Sequence, residues 1–213
     1  MVIELTQTDK TWRDLHRLYL GFVQPRPIAW ASTLSRDGKP NLAPFSFYNM
    51  VSANPPVVLF SPALNSRGEA KDTLRNVRET GEFVVATVTE SNARAMNETS
   101  TEYPHDVSEF EAAGLTPLPA KVVRAHLVKE SPINIECRVR QIISLGHEPG
   151  AGQVVFGDVL VLHIDDTILN DQGLIDADRL QAVARMGGHE YSRTRDRFEL
   201  ISIRDPAKRA AQG

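Results

Sequence analysis

Residues 28–51 read IAWASTLSRDGKPNLAPFSFYNMV, with two strand-like runs on either side of a polar turn. The runs are Ile28–Leu34 and Asn41–Val51, and the turn between them contains Asp37-Gly38. This pair tolerates positive φ, the conformation that a tight connection between antiparallel strands requires. The pattern therefore predicts a β-hairpin.

Further strand-like runs follow the hairpin at short spacing. Val57–Phe60 is a short apolar run between prolines and predicts a buried strand, and Phe83–Thr89 is β-branched and apolar. Apolar and polar residues alternate over residues 133–140, which predicts one core face and one solvent face. Val154–Ile164 is apolar on both faces, so we expect a helix or another subunit to cover its second side. Gly157 within this run indicates a bulge.

The helical signals are short and are inserted between the strands. They predict helices at Asp72–Thr80, Glu90–Asn97 and Asp178–Arg185, and one helical turn at Glu109–Ala113 in the long loop Ser100–Pro119. A last strand at Phe198–Ile203 and a flexible polar tail at 205–213 end the chain. About seven strands with inserted helices favour a mainly β fold with accessory helices, and a barrel over a doubly wound sheet.

Length and charge narrow the class of protein. A chain of 213 residues with 41% hydrophobic and 24% charged residues predicts one globular domain over residues 1–213. The net charge of -3 argues against nucleic acid or an anionic membrane as partner, so any anion site has to be local. The N-terminal segment is too charged for a secretory signal, and no apolar run is long enough to span a membrane. We expect a cytoplasmic protein.

The sequence lacks the motifs of several common binding and catalytic sites. Gly150 and Gly152 do not complete a G-x-G-x-x-G pattern, because position 155 is valine, and there is no Walker A, H-E-x-x-H or G-x-S-x-G sequence. Cys137 is the only cysteine, which excludes an intrachain disulfide and a multi-cysteine metal site. The six histidines are scattered without the spacing of metal ligands, so we expect no metal.

One polar segment is suited to a flat ligand. Asn41–Ser52 carries Ser46, Asn49 and Ser52 among aromatic residues, and this combination fits a planar heteroaromatic ring with polar edges. The alternative is an edge strand with ordinary serine and asparagine residues.

A second segment is suited to a phosphate. In Ser61–Thr73, the residues Ser66, Arg67, Lys71 and Thr73 precede or open the predicted helix. The free N–H groups and partial positive charge of a helix N-terminus, together with these side chains, suit an anion. The alternative is a solvated turn in which Asp72 caps the helix and the cations face water.

Six short motifs occur in a characteristic order: RPIAWAST (26–33), DGxxNLAPFS (37–46), NPP (54–56), KDTxxN (71–76), ESP (130–132) and RMGGxxY (185–191). In order and spacing they resemble the flavin reductase-like, FMN-binding split-barrel family that includes flavoredoxin. The resemblance extends over about residues 21–200, which we take as the core of the domain.

The resemblance implies a split β-barrel, a homodimer and FMN held near the subunit interface. It assigns Ser32 and Thr33 to a strand end that lines the flavin, and Ser46, Phe47, Tyr48 and Asn49 to the ring and ribityl chain. It assigns Ser66, Arg67, Lys71, Asp72 and Thr73 to the loop that meets the phosphate. His189, at a position that varies in the family, and Tyr191 are our candidate neighbours of the nicotinamide, with a structural surface residue as the alternative for His189.

The activity that the resemblance implies is NAD(P)H:flavin reduction. NADH or NADPH would give a hydride to flavin N5, and reduced flavin would serve an acceptor or a partner oxygenase. Three alternatives stay open: an FMN-carrying electron-transfer protein without its own NAD(P)H site, a pyridoxamine-phosphate-oxidase-like enzyme, and a β-barrel without cofactor.

Overall fold

The computed structural model describes residues 2–104 and 107–200. The helices are α1 (Trp12–Phe22), α2 (Asp72–Thr80), α3 (Ala93–Glu98), α4 (Glu109–Ala112) and α5 (Ala177–Leu180). The strands are β1 (Ala29–Leu34), β2 (Pro40–Phe45), β3 (Tyr48–Ala53), β4 (Pro56–Phe60), β5 (Glu82–Thr87), β6 (Pro117–Leu118), β7 (Leu127–Val128), β8 (Ile133–Ser144), β9 (Gln153–Ile164), β10 (Val183–Arg185) and β11 (Tyr191–Arg193).

Seven strands form one antiparallel sheet in the order β2-β1-β5-β8-β9-β4-β3. Its two edge strands, β2 and β3, are consecutive in the chain and are joined by only Ser46 and Phe47. A flat sheet of this size would be roughly 29 Å wide, at about 4.8 Å between strands. The link reaches at most about 11 Å, at about 3.8 Å between consecutive Cα atoms. The sheet therefore has to roll until its two edges lie side by side.

The predicted hairpin is correct in its first strand and its turn, but the second strand is not continuous. β2 pairs with β1, whereas β3 pairs with β4 at the other edge of the sheet. Asn41–Val51 was expected as one strand, and it divides at Ser46–Phe47 because its two halves have different partners. Gly38 in the turn has φ 84°, as the Asp-Gly pair predicts.

The core lies on both sides of β1. Ala29 and Ala31 face a cluster that includes Phe60, Phe83 and Cys137, and all five side chains are fully buried. Ile28 and Trp30 face a second cluster beneath α3 and α4, which contains Met96 and Phe110. Strand residues that alternate between two packed layers account for the near-continuous apolar sequence of β1.

Several helix predictions are confirmed, and others change. α2 has the predicted bounds and ends at Gly81, whose φ of 70° closes the helix. α4 is the predicted helical turn, and α3 begins three residues later than expected. The helix expected at Asp178–Arg185 is wrong beyond Leu180, because Gln181 adopts the left-handed conformation and residues 183–185 become β10.

The two ends of the chain also differ from expectation. Helix α1 was not predicted, although Thr11 and Asp14 form a capping box at its start. Phe198–Leu200 is not a strand, and the remainder of that expected strand and the tail at 205–213 lie outside the described residues. Among the described residues, no helix combines the length and the apolar character that a membrane crossing needs.

Strand β9 was expected to be covered on both sides, and the described part of the chain covers only one of them. Val155 is fully buried, but Leu160, Leu162 and Ile164 are 38%, 57% and 39% exposed. The second side of β9 is therefore not covered by the described part of this chain.

Gly157 lies beside a bulge, as predicted, but the extra residue belongs to β8. The β8–β9 register shifts between Val139 and Gln141, opposite Gly157 and Phe156. A Cβ at Gly157 would lie 2.3 Å from Cζ of Phe83, which is fully buried. Glycine is required here because the ring of Phe83 occupies the space of a side chain.

Replacing Gly157 with alanine tests this packing. Gly157→Ala should lower the free energy of unfolding by about 1 to 3 kcal/mol, because the core has to shift around the added methyl group. Phe83→Leu in the same chain should recover part of that loss. Urea unfolding curves measure both.

Gly21→Ala is the matched control, because a Cβ at Gly21 meets nothing within 4 Å. It should leave stability unchanged or raise it, since alanine is the better helix former. An unfolding free energy for Gly157→Ala equal to that of the wild type would contradict the packing argument.

Candidate functional site

A cleft of about 1260 Å³ opens where the two edges of the sheet meet. Its walls are α1, the link Ser46–Phe47, the loop from Ser61 to Lys71, the end of α3 and the β10–β11 hairpin. It exceeds the roughly 300 to 1,000 Å³ of most small-molecule pockets.

The cleft walls are mainly apolar and aromatic. Trp12 and Tyr19 of α1, Phe45 and Phe47 near the link, and Tyr191 of β11 all line it. All but Phe45 are exposed, so their rings offer flat apolar surface, which suits a planar ligand.

Helix α1 is held over the cleft at several points. His16 meets the ring of Phe47 edge-on, with 6.1 Å between the ring centroids. The ring of Trp12 occupies the space that a Cβ at Gly150 would fill, at 2.7 Å. No residue of α1 is buried, so the helix depends on these contacts and on the arginine at its C-terminal end for its position.

Arg26 joins three walls of the cleft. Its Nη1 donates to the carbonyl oxygens of Leu20 and Val23, at 3.1 and 2.5 Å, at the C-terminal end of α1. Its Nη2 donates to the Met186 carbonyl at 2.8 Å, and its Nε donates to Ser46 Oγ at 3.3 Å. The residue is only 5% exposed, and burial, with the charge of Arg185, holds its pKa below the usual range.

The β10–β11 hairpin presents three side chains to the cleft. Arg185 and Tyr191 are direct partners in its register, and the guanidinium lies 4.6 Å from the centre of the tyrosine ring. Tyr191 Oη donates to Asn97 Oδ1 at 3.3 Å, which ties the hairpin to α3. His189 lies in the exposed turn between the two strands and also lines the cleft.

At the start of α2 the predicted basic residues already have partners. Lys71 Nζ lies 2.8 Å from Glu102, and both residues line the cleft. The hydrogen bond and the charge of Lys71 hold the pKa of Glu102 below its usual range. Arg67 Nε lies 2.8 Å from Glu69, and its side chain is 76% exposed.

The structure brings six of the fourteen predicted site residues to the cleft. Those that line it are Ser46, Phe47, Ser66, Lys71, His189 and Tyr191. Those that do not are Ser32, Thr33, Tyr48, Asn49, Ser52, Arg67, Asp72 and Thr73. The assignment of this second group to the cofactor stays a prediction.

The buried members of the second group hold the fold together. Thr33 Oγ1 accepts from Asn41 Nδ2 at 3.1 Å and from Asn76 Nδ2 at 3.0 Å. Asn41 Nδ2 also donates to Thr73 Oγ1 at 2.9 Å. This network fixes the start of α2 against the first hairpin, and so it fixes Lys71. Ser32 Oγ is buried and has no hydrogen-bond partner among the described residues.

The predicted residues on β3 face different surroundings. Tyr48 packs against the core, and burial, with a smaller contribution from Cys137, raises the pKa of its phenol to about 12. Its hydroxyl is therefore neutral at physiological pH. Asn49 is exposed and Ser52 is half-buried.

Sequence reasoning missed the contribution of α1 and of the two arginines. Trp12, His16 and Tyr19 lie in a segment without a predicted element, although the Thr11–Asp14 cap signals a helix there. Arg26 and Arg185 occur in quoted motifs, but nothing local shows that their backbones pair, with N–O distances of 3.0 and 2.9 Å.

A second, smaller hollow of about 220 Å³ lies between Thr89, Glu130 and Arg179. It is polar and too small for a ring system with substituents. Among the described residues, no group of three or more His, Cys, Asp or Glu side chains is placed to hold a metal ion.

A profile of the flavin reductase like domain matches residues 23–183. A protein of Aquifex aeolicus without an assigned function is 40% identical over 177 residues, which are 83% of this chain and 88% of that protein.

Two solved structures share the fold over most of their length. Nitrilotriacetate monooxygenase component B from Bacillus cereus is 36% identical with a TM-score of 0.87, over 94% of this chain and 99% of that chain. A Shewanella frigidimarina protein assigned as a flavin reductase with a split barrel domain is 25% identical with a TM-score of 0.80. The match covers 95% of this chain and 99% of that chain. The rolled seven-stranded sheet is therefore a split barrel, and the expected mainly β fold is confirmed.

Proposed function

The chain belongs to the flavin reductase-like family, and on that premise we propose that it is an NAD(P)H-dependent flavin oxidoreductase with FMN as its cofactor. Bound FMN would supply the reactive centre, because its N5 accepts a hydride from a reduced nicotinamide. The observation that carries the proposal is the large aromatic-walled cleft at the meeting edges of the sheet.

The size and lining of the cleft fit two planar ligands in sequence or together. Phe47 and Tyr191 offer flat apolar surface on different walls, and Ser46 adds a hydroxyl beside them. His189 and Tyr191, both on the β10–β11 hairpin, are our proposed neighbours of the nicotinamide. These residues bind and orient the ligands and exclude water, and the proposal needs no proton transfer from any of them.

The start of α2 is the proposed phosphate position. Lys71 is the N-cap residue and its side chain makes no capping hydrogen bond, so we propose that the partial positive charge of the helix N-terminus acts together with Lys71 on an anion. Ser66 and Lys71 both line the cleft at this point. The Lys71–Glu102 pair is exposed and easily exchanged for a phosphate contact, because surface ion pairs contribute little.

The electron acceptor is proposed from the relatives. The Bacillus cereus structure, 36% identical, is component B of a nitrilotriacetate monooxygenase. By analogy we propose that this protein supplies reduced flavin to a flavin-dependent oxygenase or to another acceptor.

Absorbance spectra of the purified protein with FMN, before and after anaerobic NADH or NADPH, test the proposed activity. We expect the bound flavin bands to bleach with one of the nucleotides, and added FMN to support steady-state NAD(P)H oxidation. Flavin binding without turnover above the free-flavin background would instead favour an electron carrier. Oxidation of pyridoxine 5'-phosphate would favour the pyridoxamine-phosphate-oxidase-like alternative, and an FMN spectrum that the protein leaves unchanged would favour a barrel without cofactor.

Lys71→Ala tests the phosphate position. It should weaken FMN binding roughly tenfold to a hundredfold, because one charge-assisted hydrogen bond contributes about 1.5 to 3 kcal/mol. Riboflavin, which lacks the phosphate, should bind as before. Titration of protein fluorescence with each flavin measures the two affinities.

Arg67→Ala is the matched control for Lys71. Arg67 is outside the cleft lining and paired with Glu69, so its loss should have the smaller effect on FMN. Equal losses of FMN and riboflavin affinity in Lys71→Ala would reject the phosphate assignment.

We also propose that the protein is a homodimer. Leu160, Leu162 and Ile164 alternate along β9 and are exposed on the same face. Contiguous apolar surface of this kind is uncommon on monomers and typical of interfaces. A second copy would cover the side of β9 that the described part of the chain leaves open.

Leu162→Asp should shift a dimer to a monomer, because the charge would be buried without a partner in the interface. Leu174→Asp is the control, since Leu174 is 61% exposed in a turn outside β9. Sedimentation velocity separates the two states. The same sedimentation coefficient for wild type and Leu162→Asp would exclude β9 as the interface.

A further inference from the structure

The charges that line the cleft are not balanced. Arg26, Lys71 and Arg185 bring three cations to it, whereas Glu102 is the one carboxylate among the described lining residues. That carboxylate lies 2.8 Å from Lys71. Among the described residues, neither Arg26 nor Arg185 has an ion pair with a carboxylate.

The two arginines differ in what they can still bind. Arg26 directs its guanidinium to three carbonyl oxygens and the hydroxyl of Ser46, all neutral groups. Most of its N–H donors are engaged, but no negatively charged described residue compensates its positive charge. Buried charge without a counter-ion is unfavourable, so a negative group nearby would stabilise the site.

Arg185 retains free donors. Its Nη2 donates to the Gly188 carbonyl, and its guanidinium stacks on the ring of Tyr191. Its Nε and Nη1 have no hydrogen bond to a described residue. Two contacts thus hold the planar group in place while donors remain for an oxyanion, which guanidinium binds in a bidentate manner.

We propose that Arg185 is the anchor of an oxyanion subsite in the cleft, supported by the charge of Arg26 and by His189 on the same hairpin. The ligand is a planar ring that bears a carboxylate or a phosphate, because other aromatic side chains, Tyr19 and Phe47 among them, line the same cleft. This inference rests on the proposed function, since the subsite would take the anionic part of the molecule that exchanges electrons with the flavin.

Two sources could provide this oxyanion. One is the phosphate of a nicotinamide dinucleotide, and the other is the carboxylate of an aromatic acid that acts as electron acceptor. The proposed flavin phosphate position is at Lys71, on a different element from Arg185, the start of α2.

Calorimetric titration of the protein, with and without FMN, tests the subsite with four probes. Benzoate carries the carboxylate and benzamide is its neutral counterpart. NADH carries the phosphates, and reduced nicotinamide riboside lacks them. We expect wild-type protein to bind at least one anionic probe roughly tenfold or more tightly than its neutral counterpart, as one charge-assisted hydrogen bond predicts.

Arg185→Met should remove that preference and leave the neutral probes unchanged. Arg185→Lys should retain part of it, because the charge remains without the planar fork. Arg36→Met, in the exposed turn of the first hairpin, is the control and should bind all four probes like the wild type. Loss of the benzoate preference identifies an acid as the source, and loss of the NADH preference identifies the dinucleotide.

The inference is overturned if wild-type protein binds each anionic probe no better than its neutral counterpart. It is also overturned if a folded Arg185→Met variant keeps the preference. Failure of the proposed function is a separate result, because FMN binding is read from the flavin spectrum. An oxyanion preference that depends on Arg185 in a protein that binds no FMN would support the subsite and contradict the flavin proposal.

Discussion

The two-residue link between β2 and β3 is the constraint on which the rest of the structure depends. Because Ser46 and Phe47 join the two outermost strands of the sheet, the sheet has to roll and its edges have to meet. The link is held there from β4, since the Ser61 N–H donates to the Phe47 carbonyl at 2.8 Å. Edges that meet without pairing leave a cleft, and the cleft is where the aromatic and polar side chains converge.

Arg26 connects three walls of the cleft through its hydrogen bonds. Helix α1, the link and the end of β10 are far apart in sequence, and each supplies an oxygen that the guanidinium binds. A lysine would need all three acceptors to converge on its one nitrogen, whereas the guanidinium donors of an arginine lie on a rigid fork that spreads over three nitrogens. The buried charge is the cost of this arrangement, and it makes the neighbouring space favourable for an anion.

Local signals in the sequence predicted much of the fold, and the errors occur where pairing is nonlocal. Asp37-Gly38 and Gly81 mark a turn and a helix end by their own backbone preferences, and both were correct. The break at Ser46 was not visible, because it depends on which strands pair with each half. The site follows the same rule: Lys71 precedes a recognisable helix start, whereas the role of Arg26 depends on carbonyl groups such as that of Met186, 160 residues away.

The net charge of the chain does not predict the charge of its cleft, because the fold places acidic and basic residues in different parts of the molecule. The protein has a formal net charge of -3, yet its cleft holds three cations and one described carboxylate. Most of the acidic residues in the described part of the chain are exposed, and salt and water screen their charge. In the cleft, Arg26 is buried and its backbone pairs with that of Arg185, so two positively charged residues lie next to each other. The anion preference that we propose therefore depends on the position of two arginines and not on the net charge of the chain.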